Sequence, residues 1–165
     1  MTRIKRFHVT NYPYFVTSAT LGRLAIFADL AAASHLRDVL YETRTRYKFL
    51  LLGFVIMPDH LHAVVVPRPG DKISQVMRFI KGTFARRYNE SRNATGPVWQ
   101  PSFYDRVVRD ERGLMEVLTY VTGNPVRAGL CSDPSEYRFS SAHAACPTDL
   151  AAYLGLGQAE GLAYG

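Results

Sequence analysis

Residues 47–66 read Tyr-Lys-Phe-Leu-Leu-Leu-Gly-Phe-Val-Ile-Met-Pro-Asp-His-Leu-His-Ala-Val-Val-Val, and this stretch decides the fold. Tyr47–Met57 is a near-continuous apolar run, which predicts a central strand buried on both faces. Pro58-Asp59 is a turn signal. His60–Val66 is a second strand, closed by Pro67, Pro69 and Gly70. Two apolar strands joined by so short a turn predict an antiparallel hairpin.

Working outward, Tyr14–Ala19 is short, aromatic and β-branched, as a strand should be. Leu21–Leu24 reads as a connecting loop. Asp29–Arg44 is rich in Ala and Leu and reads as a helix, with Asp29 as its N-cap. Asp71–Arg92 reads as a longer helix, with Ile73, Val76, Met77, Ile80, Phe84 and Tyr88 on one stripe. Phe103–Val108 alternates as a strand. Asp110–Asn124 places Leu114, Val117, Leu118 and Val121 on one helical face. The order β-α-β-β-α-β-α predicts an α+β, ferredoxin-like split βαβ fold: an antiparallel sheet with helices on one face, plus a C-terminal tyrosine-bearing helix and tail. Residues 1–130 form one expected domain, and 131–165 a C-terminal tail without strong pattern.

Charge narrows the partners. The 165 residues carry a net +6. Residues 1–100 hold 15 Lys/Arg against 6 Asp/Glu, and residues 131–165 hold 1 against 4. A basic body with an acidic tail favours a polyanion partner, nucleic acid before a membrane surface, with the tail expected to touch the basic body. The longest apolar run, Phe49–Met57, is too short to span a bilayer. Asn11, Pro13, Thr17 and Ser18 interrupt any signal-peptide core. Cys131 and Cys146 fit no metal spacing and make no disulfide framework, so reduced thiols in a cytoplasmic protein are expected.

Two spaced motifs carry chemistry. His60 and His62 sit two apart on a strand, so both imidazoles leave the same face and can share one ion. Five histidines can also produce such a pair by chance. Tyr120 and Asn124 are one helical turn apart. Pro125 follows, so the helix is expected to end at Asn124. From spacing alone, a packing tyrosine and a C-terminal cap is the plainer reading of that pair. Taken together, two imidazoles and an amide oxygen leave coordination positions open. They suit Mg²⁺ or Mn²⁺ better than zinc. Such an ion neutralises charge at a phosphorus, and a nearby tyrosine can attack it. Glu116, one turn before Tyr120, reads as a solvated carboxylate or as an orienting group. Tyr88 and Tyr104 are rival nucleophiles without a ligand-type residue one turn on.

Here the sequence resembles the REP-associated tyrosine transposases, within the HUH single-strand DNA endonucleases. The matching stretches are Met57-Pro58-Asp59-His60-Leu61-His62, Val98 to Glu111 (VWQPSFYDRVVRDE), Tyr120 to Leu130 (YVTGNPVRAGL) and, more weakly, Tyr137-Arg138-Phe139-Ser140-Ser141. The resemblance covers about residues 6–143. It implies His60, His62 and Asn124 as metal ligands and Tyr120 as the nucleophile. It also implies cleavage and rejoining of single-stranded DNA near hairpins through a 5′-phosphotyrosine link, by a monomer or homodimer. The sequence departs from the family at Gly123, where a bulkier residue is usual; a glycine there costs about 1 kcal/mol against Ala and predicts a loose last turn. Arg78, Lys81, Arg86, Arg87, Arg106, Arg109 and Arg127 are candidate contacts to the DNA backbone, and Trp99 is a candidate stacking residue or a core anchor. The alternatives are a hairpin-binding protein without catalysis and a hydrolase that uses bound water.

Overall fold

The computed structural model describes residues 12–156. The basic segment 1–11 and the end of the tail, 157–165, lie outside the described residues. Four strands, β1 (Tyr14–Ala19), β2 (Leu50–Met57), β3 (His60–Val66) and β4 (Tyr104–Val107), form one sheet in the order β2-β3-β1-β4. Every pairing is antiparallel. This is the expected α+β arrangement.

The helices divide between the faces. α1 (Leu30–Tyr47) and α2 (Ile73–Arg92) pack together on one face, over Val16, Leu61, Ala63 and Val65. α3 (Glu111–Arg127) lies on the other, where Leu114, Val117, Leu118 and Val121 meet Leu52, Val55 and Val64. Alternation along β1 and β3 feeds both cores. Burying each of those α3 side chains contributes roughly 1.5–3 kcal/mol, and this apolar stripe holds the helix in place. Gly53 in β2 lets α3 come close, because a Cβ there would stand 2.4 Å from Leu118 Cδ2.

Three expectations are corrected. α1 runs on to Tyr47 rather than stopping at Arg44, and Lys48 turns the chain in the left-handed region. The Tyr47 ring stacks on Phe79 of α2, so its apolar character serves helix packing and not the strand. The loop at Leu21–Leu24 contains a short 3₁₀ turn over Leu21–Arg23. β2 is an edge strand, not a central one. Its side chains are buried by the helix layers on both faces, and the chain beyond α3 covers its outer edge. Ile56 N donates to Phe139 O at 2.9 Å, Ser141 N to Phe54 O at 2.9 Å and Asp149 N to Leu51 O at 2.8 Å. The side chains of Ser141 and Asp149 accept from Phe54 N and Leu51 N at 3.0 and 2.9 Å. An exposed apolar edge invites strand addition from other chains, and this cover removes it. The Asp149 carboxylate also grips the Arg44 guanidinium, an acid of the tail on a base of the body. α4 (Leu150–Leu156) then places Tyr153 in the α3-side core.

α3 supplies a further correction. It passes through Asn124 and Pro125 and ends at Arg127. The residue before a proline is only biased against the helical region. Pro125 is buried, and its carbonyl accepts from Leu130 N at 2.9 Å, so local packing and capping carry the helix through. Asp110 caps the other end by accepting from Gly113 N at 2.7 Å.

Candidate functional site

The hairpin register builds the site. Thr17 pairs with His62 and Ala19 with His60, which fixes both imidazoles on the α3 face of the sheet. His60 Nε2 and His62 Nε2 stand 3.1 Å apart. That separation is close to the roughly 3 Å between adjacent ligands of an octahedral ion with bonds of about 2.0–2.1 Å. Each ring is held from behind. His60 Nδ1 lies 2.7 Å from Asp59 Oδ1, and His62 Nδ1 lies 2.7 Å from Thr17 Oγ1. With its proton on Nδ1 toward the Asp59 carboxylate, His60 presents Nε2 as a lone-pair donor to an ion. Asp59 is itself steadied by Arg23 Nε at 3.4 Å.

His62 is buried, and burial is the main cause that lowers its pKa to about 4; the neighbouring His60, Arg127 and Arg23 push the same way. The imidazole is therefore neutral at pH 7, as metal ligation requires. A histidine whose folded pKa lies below its unfolded value of 6.5 binds fewer protons when folded. In EDTA, stability is expected to be flat above pH 6.5 and to fall as pH drops toward 4, by about 2–3 kcal/mol at most from this group. Urea titrations across that window should show the slope reduced in His62→Gln. An unchanged slope would mean that the neutral ring is not what the acid attacks. Part of the slope will survive, because burial also lowers His35.

Tyr120 comes to the same place from α3. Its ring lies edge-on to His62, with centroids 5.7 Å apart, and to Phe15 at 6.0 Å. It remains 48% exposed, open to a large substrate. Asn124 sits one turn further along α3 and is half-buried. Among the described residues, no cluster of three or more His, Cys, Asp or Glu is arranged to hold a metal ion.

The remaining candidates scatter. Arg106 is exposed on β4, in register with Phe15 and so on the face that carries the histidines. Tyr104, 56% exposed and edge-on to Phe15, shares that face. Arg109 is exposed and lies over the Tyr12 ring. Arg78, Lys81, Arg86 and Arg87 belong to α2, across the sheet. Arg78 is exposed, Arg86 pairs with Glu90, and Arg87 forks onto Glu42 at 2.6 Å. Lys81 Nζ donates to the carbonyls of Gln100 and Ser102, bracing the loop that enters β4. Trp99 is only 6% exposed, wedged between Phe27 and Phe84 with Nε1 donating to Lys81 O. It is the core anchor of the two readings. Tyr88 stacks on Phe84, and Glu116 pairs with Arg112 and not with Tyr120.

Sequence reasoning missed Thr17, Phe15 and Asp59. Asp59 adjoins His60 and carried a signal in its carboxylate. Thr17 and Phe15 reach the site only through strand register.

A family model described as IS200-like transposase matches residues 8–124. The chain belongs to that transposase family. Within it, a Haemophilus influenzae chain assigned to the REP-associated tyrosine transposases is 26% identical over 152 residues, covering 82% of this chain and 86% of that one. The REP-associated tyrosine transposase of Escherichia coli K12 is 23% identical over 146 residues, covering 87% and 84%. A solved REP-associated tyrosine transposase bound to a REP hairpin shares the fold, with a TM-score of 0.69, 22% identity and coverage of 86% and 82%. This IS200-like transposase is thus an enzyme by family. Among its described residues no helix is long and apolar enough to cross a membrane.

Proposed function

We propose that this transposase cleaves and rejoins single-stranded DNA beside hairpins, using Tyr120 as nucleophile. One observation carries the reading: an exposed tyrosine ring stands against a histidine pair whose Nε2 atoms converge to 3.1 Å. His60, His62 and Asn124 would hold Mg²⁺ or Mn²⁺, which when bound neutralises charge on the phosphate oxygens. Tyr120 Oη attacks the phosphorus. The Oη–P bond forms as the phenol proton passes to water, the P–O3′ bond breaks, and the leaving 3′ oxygen takes a proton from water. The phosphotyrosine ester conserves the energy of the broken phosphodiester, so rejoining needs no nucleotide cofactor. Asp59 and Thr17 hold the two imidazoles in orientation throughout.

Arg106, on the site face, would meet the backbone of the cleaved strand, with Arg109 beyond it. The α2 cations Arg78 and Arg86 would meet DNA away from the cut, in the salt-dependent manner of phosphate contacts. The hairpin bound by the structural relative supports the same substrate class here.

The test is an adduct assay. Single strands flanked by a hairpin are incubated with the full chain and Mn²⁺, and any covalent protein–DNA species is digested and mapped by mass spectrometry. A nucleotide remnant on Tyr120 is the expected result. Hairpin binding without adduct under either ion would favour the non-catalytic reading, and a cut strand without adduct would favour a bound-water hydrolase.

A further inference from the structure

We infer that Gly123 and Arg127 act as one device that holds the Tyr120 ring in its attacking position before DNA arrives. The inference rests on Tyr120 being the nucleophile. A tyrosine that is 48% exposed on a helix surface is not fixed by burial and has several staggered rotamers open to it. Phe15 and His62 lie edge-on to the ring and leave the residue largely exposed. Arg127 adds a third contact. Its guanidinium carbon lies 4.5 Å from the ring centroid, within cation–π range. Its Nη2 donates to the Tyr120 carbonyl at 2.5 Å, so the cation is tied to the backbone of the residue it covers.

This placement requires a glycine one turn earlier. A Cβ built on Gly123 would stand 2.7 Å from Arg127 Nη1. Nothing else within 4 Å opposes a side chain there except Arg127 Cζ at 3.8 Å. An alanine there would therefore displace the guanidinium and little else. The glycine that the sequence suggested as a loose point is the seat of the cation, and the helix runs unbroken through it. Arg127 is in this reading a positioning residue. Reacting groups displaced by about 1 Å can lose of order a hundredfold in rate, so an ordered ring is worth its helix cost.

The rival role for Arg127 is a plain phosphate contact. The two roles separate because Gly123→Ala keeps the charge and moves only its seat. Wild type, Gly123→Ala and Arg127→Gln are compared as full chains in three ways. The first is the single-turnover rate of adduct formation at saturating hairpin-flanked strand with Mn²⁺. The second is hairpin affinity against salt in EDTA. The third is the Tyr120 ring signal in DNA-free protein carrying ¹³C-labelled tyrosine, assigned from Tyr120→Phe. Both variants are expected to lose about three- to thirtyfold in rate, the range a cation–π contact commands. Affinity of Gly123→Ala should stay within twofold, since that variant keeps the charge. The ring signal should move in both variants. The unfolding midpoint of Gly123→Ala should hold or rise, since Ala is the better helix residue.

An unchanged rate overturns the inference. So does a loss of affinity and salt slope with the saturated rate intact, which is the signature of a phosphate contact. So does a fall in midpoint that tracks the rate. If wild type forms no adduct, the nucleophile reading fails, and the inference fails with it. The ring signal then still reports whether Gly123 and Arg127 order Tyr120.

Discussion

Tyr120→Phe is expected to lower strand cleavage by at least about ten-thousandfold, because loss of the attacking atom leaves only binding and electrostatic help. The same substitution should leave the fold and hairpin affinity alone. The ring keeps its contacts with Phe15, His62 and Arg127. The hydroxyl is on a half-exposed side chain, and such surface changes stay within about 0.5 kcal/mol. Tyr104→Phe is the matched control. Tyr104 is exposed, shares the site face and packs edge-on to the same Phe15. It sits on β4, however, with no residue of ligand type one helical turn beyond it. Cleavage by Tyr104→Phe within twofold of wild type, with none by Tyr120→Phe, places the nucleophile on α3. The opposite pattern would move it to the sheet edge and break the proposed mechanism.

The site was legible where it depends on local period. His60 and His62 project together because strand side chains alternate, and Tyr120 and Asn124 align because helical residues recur at i+4. The hairpin was legible because its apolar runs flank a Pro-Asp turn. What depends on pairing between distant segments was hidden. Thr17 supports His62 only through the β1–β3 register, and nothing near Thr17 announces it. The edge position of β2 was hidden because an apolar run records burial, not its cause, and the cover at Phe139, Ser141 and Asp149 is irregular chain. Basic residues on α2 looked like one DNA surface. The structure joins Arg87 to Glu42 and Lys81 to loop carbonyls, because sequence shows charge but not its partner.

Gly53→Val is expected to destabilise the protein by about 1–3 kcal/mol, the usual cost of overpacking, and to cut adduct formation more than tenfold. The sign is informative. Valine is a far better strand residue than glycine, so β2 taken alone should gain from the change. The loss comes from α3. A Cβ at residue 53 would stand 2.4 Å from Leu118 Cδ2 and 3.4 Å from Ser141 Oγ. Ser141 cannot yield freely, since its hydroxyl accepts from Phe54 N and its own N–H donates to Phe54 O. Leu118 must move, and it is two residues from Tyr120 on a helix that rests on the sheet through one stripe. The histidines stay with β3, so lifting α3 separates the two halves of the site. A displacement near 1 Å is worth about a hundredfold in rate. Gly53→Ala sets the same Cβ against Leu118, and pairing it with Leu118→Val tests the route, because removing a methylene at the contact should restore most of what Gly53→Ala loses in stability and rate. Urea titrations of the single and double variants give the coupling, which should exceed about 0.5 kcal/mol for residues in direct contact. Additive effects would mean that β2 and α3 do not press on each other at Gly53, and that the tyrosine owes its position to some other contact.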